Sequence, residues 1–432
     1  MNTTQQTDIL VIGGGLGGLA AASHLARAGV QVMLLEKGAS LGGRAATDVF
    51  DGFAFNRGIH ALYCGGATEH TLKDLNIPYT GGTPSGIRVL ADGKLHAAPV
   101  GMMSLIGTRL LSAADKLELL RIFATLPQTD AYALRYTSVQ TWIEQQAQRP
   151  RVRQLLIANA RTFVYSSALD LVSAEVFIQK IQLAFKHPVM YIDGGWQTLV
   201  SGLRQVAEAA GVRILTGARA ESLIMTGNTI TGVTLANGQP INAQNVIIAT
   251  TPQEALKLIP ESTADLRQSL RSLMPAQLAC LDVALKRLPN PDAAVVQDLD
   301  QPRFMSTQSL FSKVAPEGGA LIYSFKQLDP TRETDPREDE ADLEAFLDAV
   351  QPGWRKLVIK RRTLPRIQAI GALPTAQMGG FSGRPAPVSG IAGLFLVGDW
   401  VGGEGFLADA SFASAHAGAQ HIQQISPVRI MA

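Results

Sequence analysis

The sequence predicts an α/β protein in which a parallel-sheet, dinucleotide-binding unit is interleaved with a mixed-sheet and helical part. Three observations predict it. Residues 8–44, DILVIGGGLGGLAAASHLARAGVQVMLLEKGASLGGR, place a strand, a glycine-rich turn, a helix and a second strand in succession. A second strand–glycine–helix junction, 393–425, stands near the other end of the chain. Between them strand-like and helical stretches alternate in blocks, and 432 residues suit two interleaved domains.

The run Asp8-Ile9-Leu10-Val11-Ile12 is apolar enough for one buried parallel strand. Gly13, Gly15 and Gly18 then satisfy G-x-G-x-x-G, with Leu16 and Gly17 inside the motif. The first glycine allows a tight turn, the second lets backbone approach a pyrophosphate, and the third packs helix against strand. Residues 19–28 are rich in Ala and Leu and read as a helix stopped by Gly29. Its start offers free N–H groups and a positive dipole end to phosphates. A strand over 30–35 follows, and Glu36 stands where an acid accepts hydrogen bonds from a ribose 2′-hydroxyl. Glycines serving packing alone would not need three in a row and two more after Leu16.

Further along, Asp51-Gly52 reads as a turn, and Phe53 and Phe55 alternate with Ala54 and Asn56 as a short strand would. Arg57-Gly58-Ile59-His60 reads as a loop. Ser112 with Asp115 resembles a capping box, and Leu117, Leu120, Phe123 and Leu126 fall on one helical face. Helical patterns continue to 186. Turn chemistry at Gly194-Gly195 opens a helix over 197–210, and Asn237-Gly238 joins strands over 229–235 and 241–249 as a hairpin. Strands over 278–285, 320–325 and 356–362 suggest a second sheet. An acidic segment, 335–340, opens a helix carrying Leu343, Phe346, Leu347 and Val350.

Composition narrows the function. The chain is 46% hydrophobic and 17% charged, with a formal net charge of +2, which favours neither a nucleic-acid partner nor electrostatic membrane anchoring. Two cysteines, Cys64 and Cys280, supply neither a disulfide framework nor a cysteine metal site and suit a reducing cytoplasm; no metal site is expected. MNTTQQTD has no basic region or apolar core, so no signal peptide is expected. No run is long enough to span a membrane, which leaves a peripheral contact open.

The pieces GGGLGG with Glu36, LGGR at 41–44, GFAFNRGIHAL at 52–62, DGGWQTLVSGL at 193–203 and FLVGDWVGGEGFLADA at 395–410 span almost the whole chain. In this order they resemble the flavin-dependent amine oxidoreductase superfamily, which includes phytoene desaturases, protoporphyrinogen oxidase and monoamine oxidases. The resemblance implies a Rossmann-like FAD-binding domain of glutathione reductase type over 1–95, 188–260 and 385–432. The substrate domain would take 96–187 and 261–384, with a helical insertion over 99–187 and a sheet over 270–375. FAD would lie extended, with Gly13, Gly15, Leu16, Gly17 and Gly18 at the pyrophosphate and Glu36, beside Lys37, on the adenosine ribose. Gly43, Arg44, Gly398 and Asp399 would follow the pyrophosphate and ribityl, and Ala220 would meet the adenine through its backbone. Gly58, Ile59 and His60 would lie beside the isoalloxazine, with Phe406, Leu407 and Ala410 at its N1–C2=O edge. N–H groups at a helix start would stabilise the negative charge that a reduced flavin gains there.

Three departures from the amine-oxidising members matter. Their lysine before the strand near Leu278 has no counterpart, since Lys286 lies too far along. One of their two flavin-flanking tyrosines matches Phe406. Their flavin-linking cysteine has no counterpart in VGGEGF. These point to non-covalent FAD and to the phytoene desaturase-like branch. Asn56 also stands where many members carry Asp. The expected activity is hydride transfer from an apolar, terpenoid or polyene-like substrate to flavin N5, as desaturation, oxidation or isomerisation. The alternatives are an amine or amino-acid oxidase releasing peroxide and a redox-neutral isomerase. No second dinucleotide motif follows a strand, so electrons would leave to oxygen or a quinone. His60 is the one candidate catalytic residue, with Tyr165 and Trp196 as candidate cavity walls. A cytoplasmic enzyme, with a homodimer left open, completes the expectation.

Overall fold

The computed structural model describes residues 5–425. Residues 1–4, on which the reading of the N-terminal segment partly rests, and 426–432, assigned above to the FAD-binding domain, lie outside them. The first sheet has the parallel strands Gln5–Ile12, Val32–Glu36, Arg213–Thr216, Pro240–Ile248 and Leu394–Leu396, and an antiparallel hairpin, Ala220–Thr226 with Thr229–Leu235, continues it. Both faces are covered, as a continuous apolar strand requires. Ile9 and Val11 meet the helices Leu16–Arg27, Gln197–Ala209 and Ala408–Ile425. Leu10 and Ile12 meet Leu223, Val233, Leu258 and Trp400 on the other side. The α/β reading holds, and the first strand–turn–helix–strand unit forms as its spacing dictates.

The second sheet runs Val358–Ile370, Ala276–Leu285, Ala320–Gln327, Arg303–Thr307, Val295–Asp298, Ile87–Ala91, Lys94–Ala97. The helix Pro336–Val350 covers it with Leu343, Phe346, Leu347 and Val350, capped by Asp335. Residues 87–97 therefore pair outside the first sheet, although the sequence boundary at 95 grouped 87–95 with it; the partner of Ile87–Ala91, Val295–Asp298, is some two hundred residues away in the chain. The strand read as ending at Arg362 runs on to Ile370, because Pro365 sits where the ladder to Ala276–Leu285 shifts register.

The helices between Met102–Gly107 and Ala174–Lys186 form a layer whose core includes Leu119, Ile122, Trp142, Leu156 and Phe177. Ser112 caps Ala113–Thr125, and Asp115 completes the capping box. The stripe that packs inward is not the one formed by Leu117, Leu120, Phe123 and Leu126. Leu119, Ile122 and Leu126 are buried, whereas Leu117 is 70% exposed. The strand Phe53–Asn56 likewise buries all four residues rather than alternate ones, because Phe53, Ala54 and Phe55 enter a cluster with Val314, Leu321 and Tyr323. Among the described residues no helix is long and apolar enough to cross a membrane.

Candidate functional site

A cavity of about 760 Å³ opens at the carboxyl ends of the parallel strands, where Ile12, Glu36, Ala249 and Gly398 reach its wall. The glycines divide the work at its floor. A Cβ on Gly13 would lie 2.4 Å from the Ala249 carbonyl oxygen, and one on Gly18 would lie 2.0 Å from that of Gly13. Both are demanded by the protein's own backbone. Gly15, which precedes the helix with φ −79°, would meet nothing within 4 Å. Its missing side chain leaves open space beside the helix start, the arrangement a phosphate needs. The Glu36 carboxylate accepts from Gly14 N at 2.8 Å and Gly38 N at 2.7 Å, which fixes its direction at the strand end.

Of the residues expected to bind the cofactor, Gly13, Gly15, Leu16, Gly17, Glu36, Lys37, Gly43, Arg44, Ile59, His60, Ala220, Gly398, Asp399, Phe406 and Leu407 line this one cavity. Gly18, Gly58 and Ala410 do not line it. Gly18 is an internal packing position, a Cβ on Gly58 would strike Ile367 at 2.4 Å, and Ala410 is fully buried.

Arg44 and Asp399 form a two-toothed ion pair at 2.7 and 2.8 Å, and Asp399 also accepts from Gly371 N at 2.8 Å. Burial works against the Asp399 carboxylate, but Arg44 and the Gly371 N–H outweigh it and hold the acid below its usual range. Arg384, buried at 5% exposure, donates to the carbonyls of Asp399, Glu404 and Gly405 and so ties down the glycine-rich loop. Nothing in its local sequence marks it, since its partners are 15 to 21 residues away.

The far end of the cavity is set by the loop after Phe53–Asn56. Asn56 Oδ1 accepts from Trp196 N at 2.9 Å and Thr47 Oγ1 at 2.8 Å, a role an aspartate oxygen would fill equally. Beneath the loop, Arg362 joins buried Asp282 to the Asn56 carbonyl. Burial raises Asp282 to about 7, with Arg362 opposing. His60 packs on Trp196 with ring centroids 4.9 Å apart, and its Nδ1 lies 3.0 Å from the Gly58 carbonyl. A carbonyl only accepts, so in the neutral ring Nδ1 carries the hydrogen and Nε2 the lone pair. Burial lowers His60 to about 4, the Gly58 contact partly opposing, so the ring is neutral near pH 7.

Tyr165 and Leu407, both on the cavity wall, have left-handed backbones with φ +56° and +57°. Among the described residues the other non-glycine positions so placed are Asp or Asn, which tolerate it; a bulky residue there carries backbone strain. Leu278, Ile367, Trp196 and Phe406 complete an aromatic and aliphatic chamber at this end. The two cysteines, both buried, are absent from the wall. An open phosphate approach, a directed acid at the second strand and a helix start at the far end fit an extended dinucleotide.

The family model for flavin containing amine oxidoreductases matches residues 16–423. The 4,4'-diaponeurosporene oxygenase of Staphylococcus aureus is 26% identical over 275 residues, 55% of this chain and 54% of that protein. A carotenoid 3,4-desaturase of Haloarcula japonica is 52% identical over 58 residues, 13% of this chain and 12% of that protein. The chain thus spans about half the length, or less, of these curated relatives. Among solved structures, a putrescine oxidase triple mutant superposes with a TM-score of 0.78 at 14% identity, covering 98% of this chain and 100% of that one; this likeness concerns the fold alone.

Proposed function

Since this chain belongs to the flavin-containing amine oxidoreductases and is a flavin-dependent oxidoreductase, we propose that it binds FAD non-covalently and oxidises an apolar, polyene-like substrate. The observation that carries the reading is the chamber beyond Asp399. Tyr165, Trp196, Leu278, Ile367, Phe406 and Leu407 wall it, and the acids nearest to it are already engaged, Asp399 by Arg44 and Asp409 by Thr68 N at 3.0 Å. A protonated amine would find only Asp409 without a cationic partner there, at the chamber's edge, whereas a hydrocarbon would find the apolar surface that most small-molecule sites offer.

The residues have distinct tasks in this reading. Glu36 orients the adenosine ribose, and the open face at Gly15 receives the pyrophosphate. The Arg44–Asp399 pair holds the Gly398 turn against the second sheet through Gly371. FAD, when bound, supplies the hydride acceptor. The chamber orients the substrate and excludes water, and neutral His60 offers one lone pair without placing a cation beside it. The absence of a thiol from the wall supports non-covalent attachment. Val100, Met102, Met103 and Ile106, all more than half exposed, support a peripheral membrane contact through which a hydrocarbon would enter. Oxygen or a quinone would take the electrons.

The test is anaerobic reduction of the FAD-loaded protein. An acyclic carotenoid polyene in detergent should bleach the flavin, while primary amines should not. Bleaching by an amine and by no polyene would overturn the proposal.

A further inference from the structure

Lys180 sits on the helix Ala174–Lys186, is 3% exposed, and its Nζ has no hydrogen-bond partner among the described residues. An ammonium buried with its three donors unused is costly, and native proteins rarely leave one so. Nζ lies 3.3 Å from the centroid of the Tyr63 ring and 5.7 Å from that of Phe406. Ring faces attract the cation but accept no directed hydrogen bond of ordinary strength. Burial lowers Lys180 to about 8, with Asp409 partly opposing, as expected of a cation short of partners.

Lys180 also lines a second, smaller cavity of about 370 Å³, whose wall includes Leu183, Lys186, His187, Phe406 and Asp409. Lys186 and His187 are exposed and mark its outer rim. Phe406 and Asp409 belong to both cavities, so the smaller one abuts the chamber from outside. Asp409 does not neutralise Lys180 by contact: its Oδ1 accepts from Thr68 N in the first turn of Ala67–Asp74. The two glutamines on the helix face are oriented by other partners, Gln182 donating through Nε2 to the carbonyls of Leu126 and Thr129, and Gln179 through Nε2 to Glu175. Among the described residues no acceptor of the wall hydrogen-bonds Nζ, and an anionic oxygen brought by a ligand suits Lys180 best.

We propose that this side pocket binds the carboxylate of a small organic acid, with Lys180 Nζ donating to it and Tyr63 and Phe406 flanking the charge. The site is separate from the phosphate floor and does not depend on which substrate the chamber oxidises.

The test uses the FAD-loaded protein, sodium benzoate as the carboxylate and benzyl alcohol as its uncharged counterpart, with binding read by calorimetry rather than by turnover. Benzoate should bind more tightly than benzyl alcohol. Lys180→Met keeps most of the stem volume and removes the unpaired charge, so it should fold; it should weaken benzoate about 10- to 150-fold, the loss of one charge-assisted hydrogen bond, and leave benzyl alcohol unchanged. Lys180→Gln serves the same comparison should the methionine variant misfold. Leu183→Trp, which narrows the pocket and keeps Lys180, should weaken benzoate while flavin content stays the same. Equal affinity of wild type and Lys180 variants for benzoate, or no preference over benzyl alcohol, overturns the proposal. A failure of polyene oxidation would leave these affinities as they are, so the two proposals fail separately.

Discussion

Replacing Gly15 by alanine should separate cofactor binding from folding. Gly15 holds φ −79° and ψ −176°, which alanine adopts freely, and a Cβ there meets nothing within 4 Å. Removing a glycine restricts the unfolded chain and stabilises by about 0.4–1 kcal/mol. Alanine is a poorer residue than glycine ahead of a helix, which offsets part of that gain. The apoprotein should therefore change by less than about 0.5 kcal/mol. With cofactor the balance differs, because the methyl projects into the space where a phosphate oxygen would meet the helix N–H groups. Losing one charge-assisted hydrogen bond costs about 1.5–3 kcal/mol, a rise in Kd of about 10- to 150-fold. Titrating apoprotein with FAD by flavin fluorescence, beside thermal unfolding of the same sample, measures both quantities. Gly18→Ala should do the reverse and damage the apoprotein, since its Cβ meets the Gly13 carbonyl oxygen at 2.0 Å. A Gly15→Ala protein that binds FAD like wild type, or whose apo form melts several degrees lower, refutes the division of labour among the glycines.

Two further outcomes follow from the buried charges. Asp399→Asn should lower the stability of the apoprotein by about 3 kcal/mol in urea unfolding, the low end for breaking a buried pair, because the Arg44 side chain is 43% exposed. An unchanged midpoint would mean the pair holds nothing together. His60, lowered from 6.5 to about 4, binds its proton more readily in the unfolded chain. Stability from this group is complete above pH 6.5 and is lost as pH falls toward 4, by about 3 kcal/mol at most. His60→Gln should flatten the melting temperature against pH in that window, leaving the similar slope that His24, also lowered to about 4, contributes. No change in slope would refute the buried, neutral assignment.

What was legible in the chain was what short-range chemistry determines. The Gly13–Gly18 turn, the Ser112–Asp115 cap, the Asn237-Gly238 hairpin and the acidic start of Pro336–Val350 each depend on residues a few positions apart. Leu117 misled because several apolar residues on one helix offer more than one plausible stripe, and only the neighbours choose between them. The end of the strand at Ile370 was hidden behind Pro365, whose effect depends on a partner strand that tolerates a register shift. The candidate site shows the same division. Motif glycines and Glu36 announce themselves, whereas Arg384, Lys180 and the left-handed Tyr165 acquire their surroundings only from distant segments.

The Arg44–Asp399 pair joins residues 355 positions apart, and Leu394–Leu396, just ahead of Asp399, completes the edge of Pro240–Ile248. During synthesis the glycine turn therefore exists long before the segment that closes over it. At ordinary translation rates the interval is about 20–70 s. For the last part of it, about 7–30 s after residue 248 is made, the end of Pro240–Ile248 lacks that parallel neighbour, and an open apolar strand edge invites pairing with the wrong chain. Cofactor capture is then a late event in the life of the nascent chain, and a supply of FAD at that moment would act as a folding aid as much as a reagent.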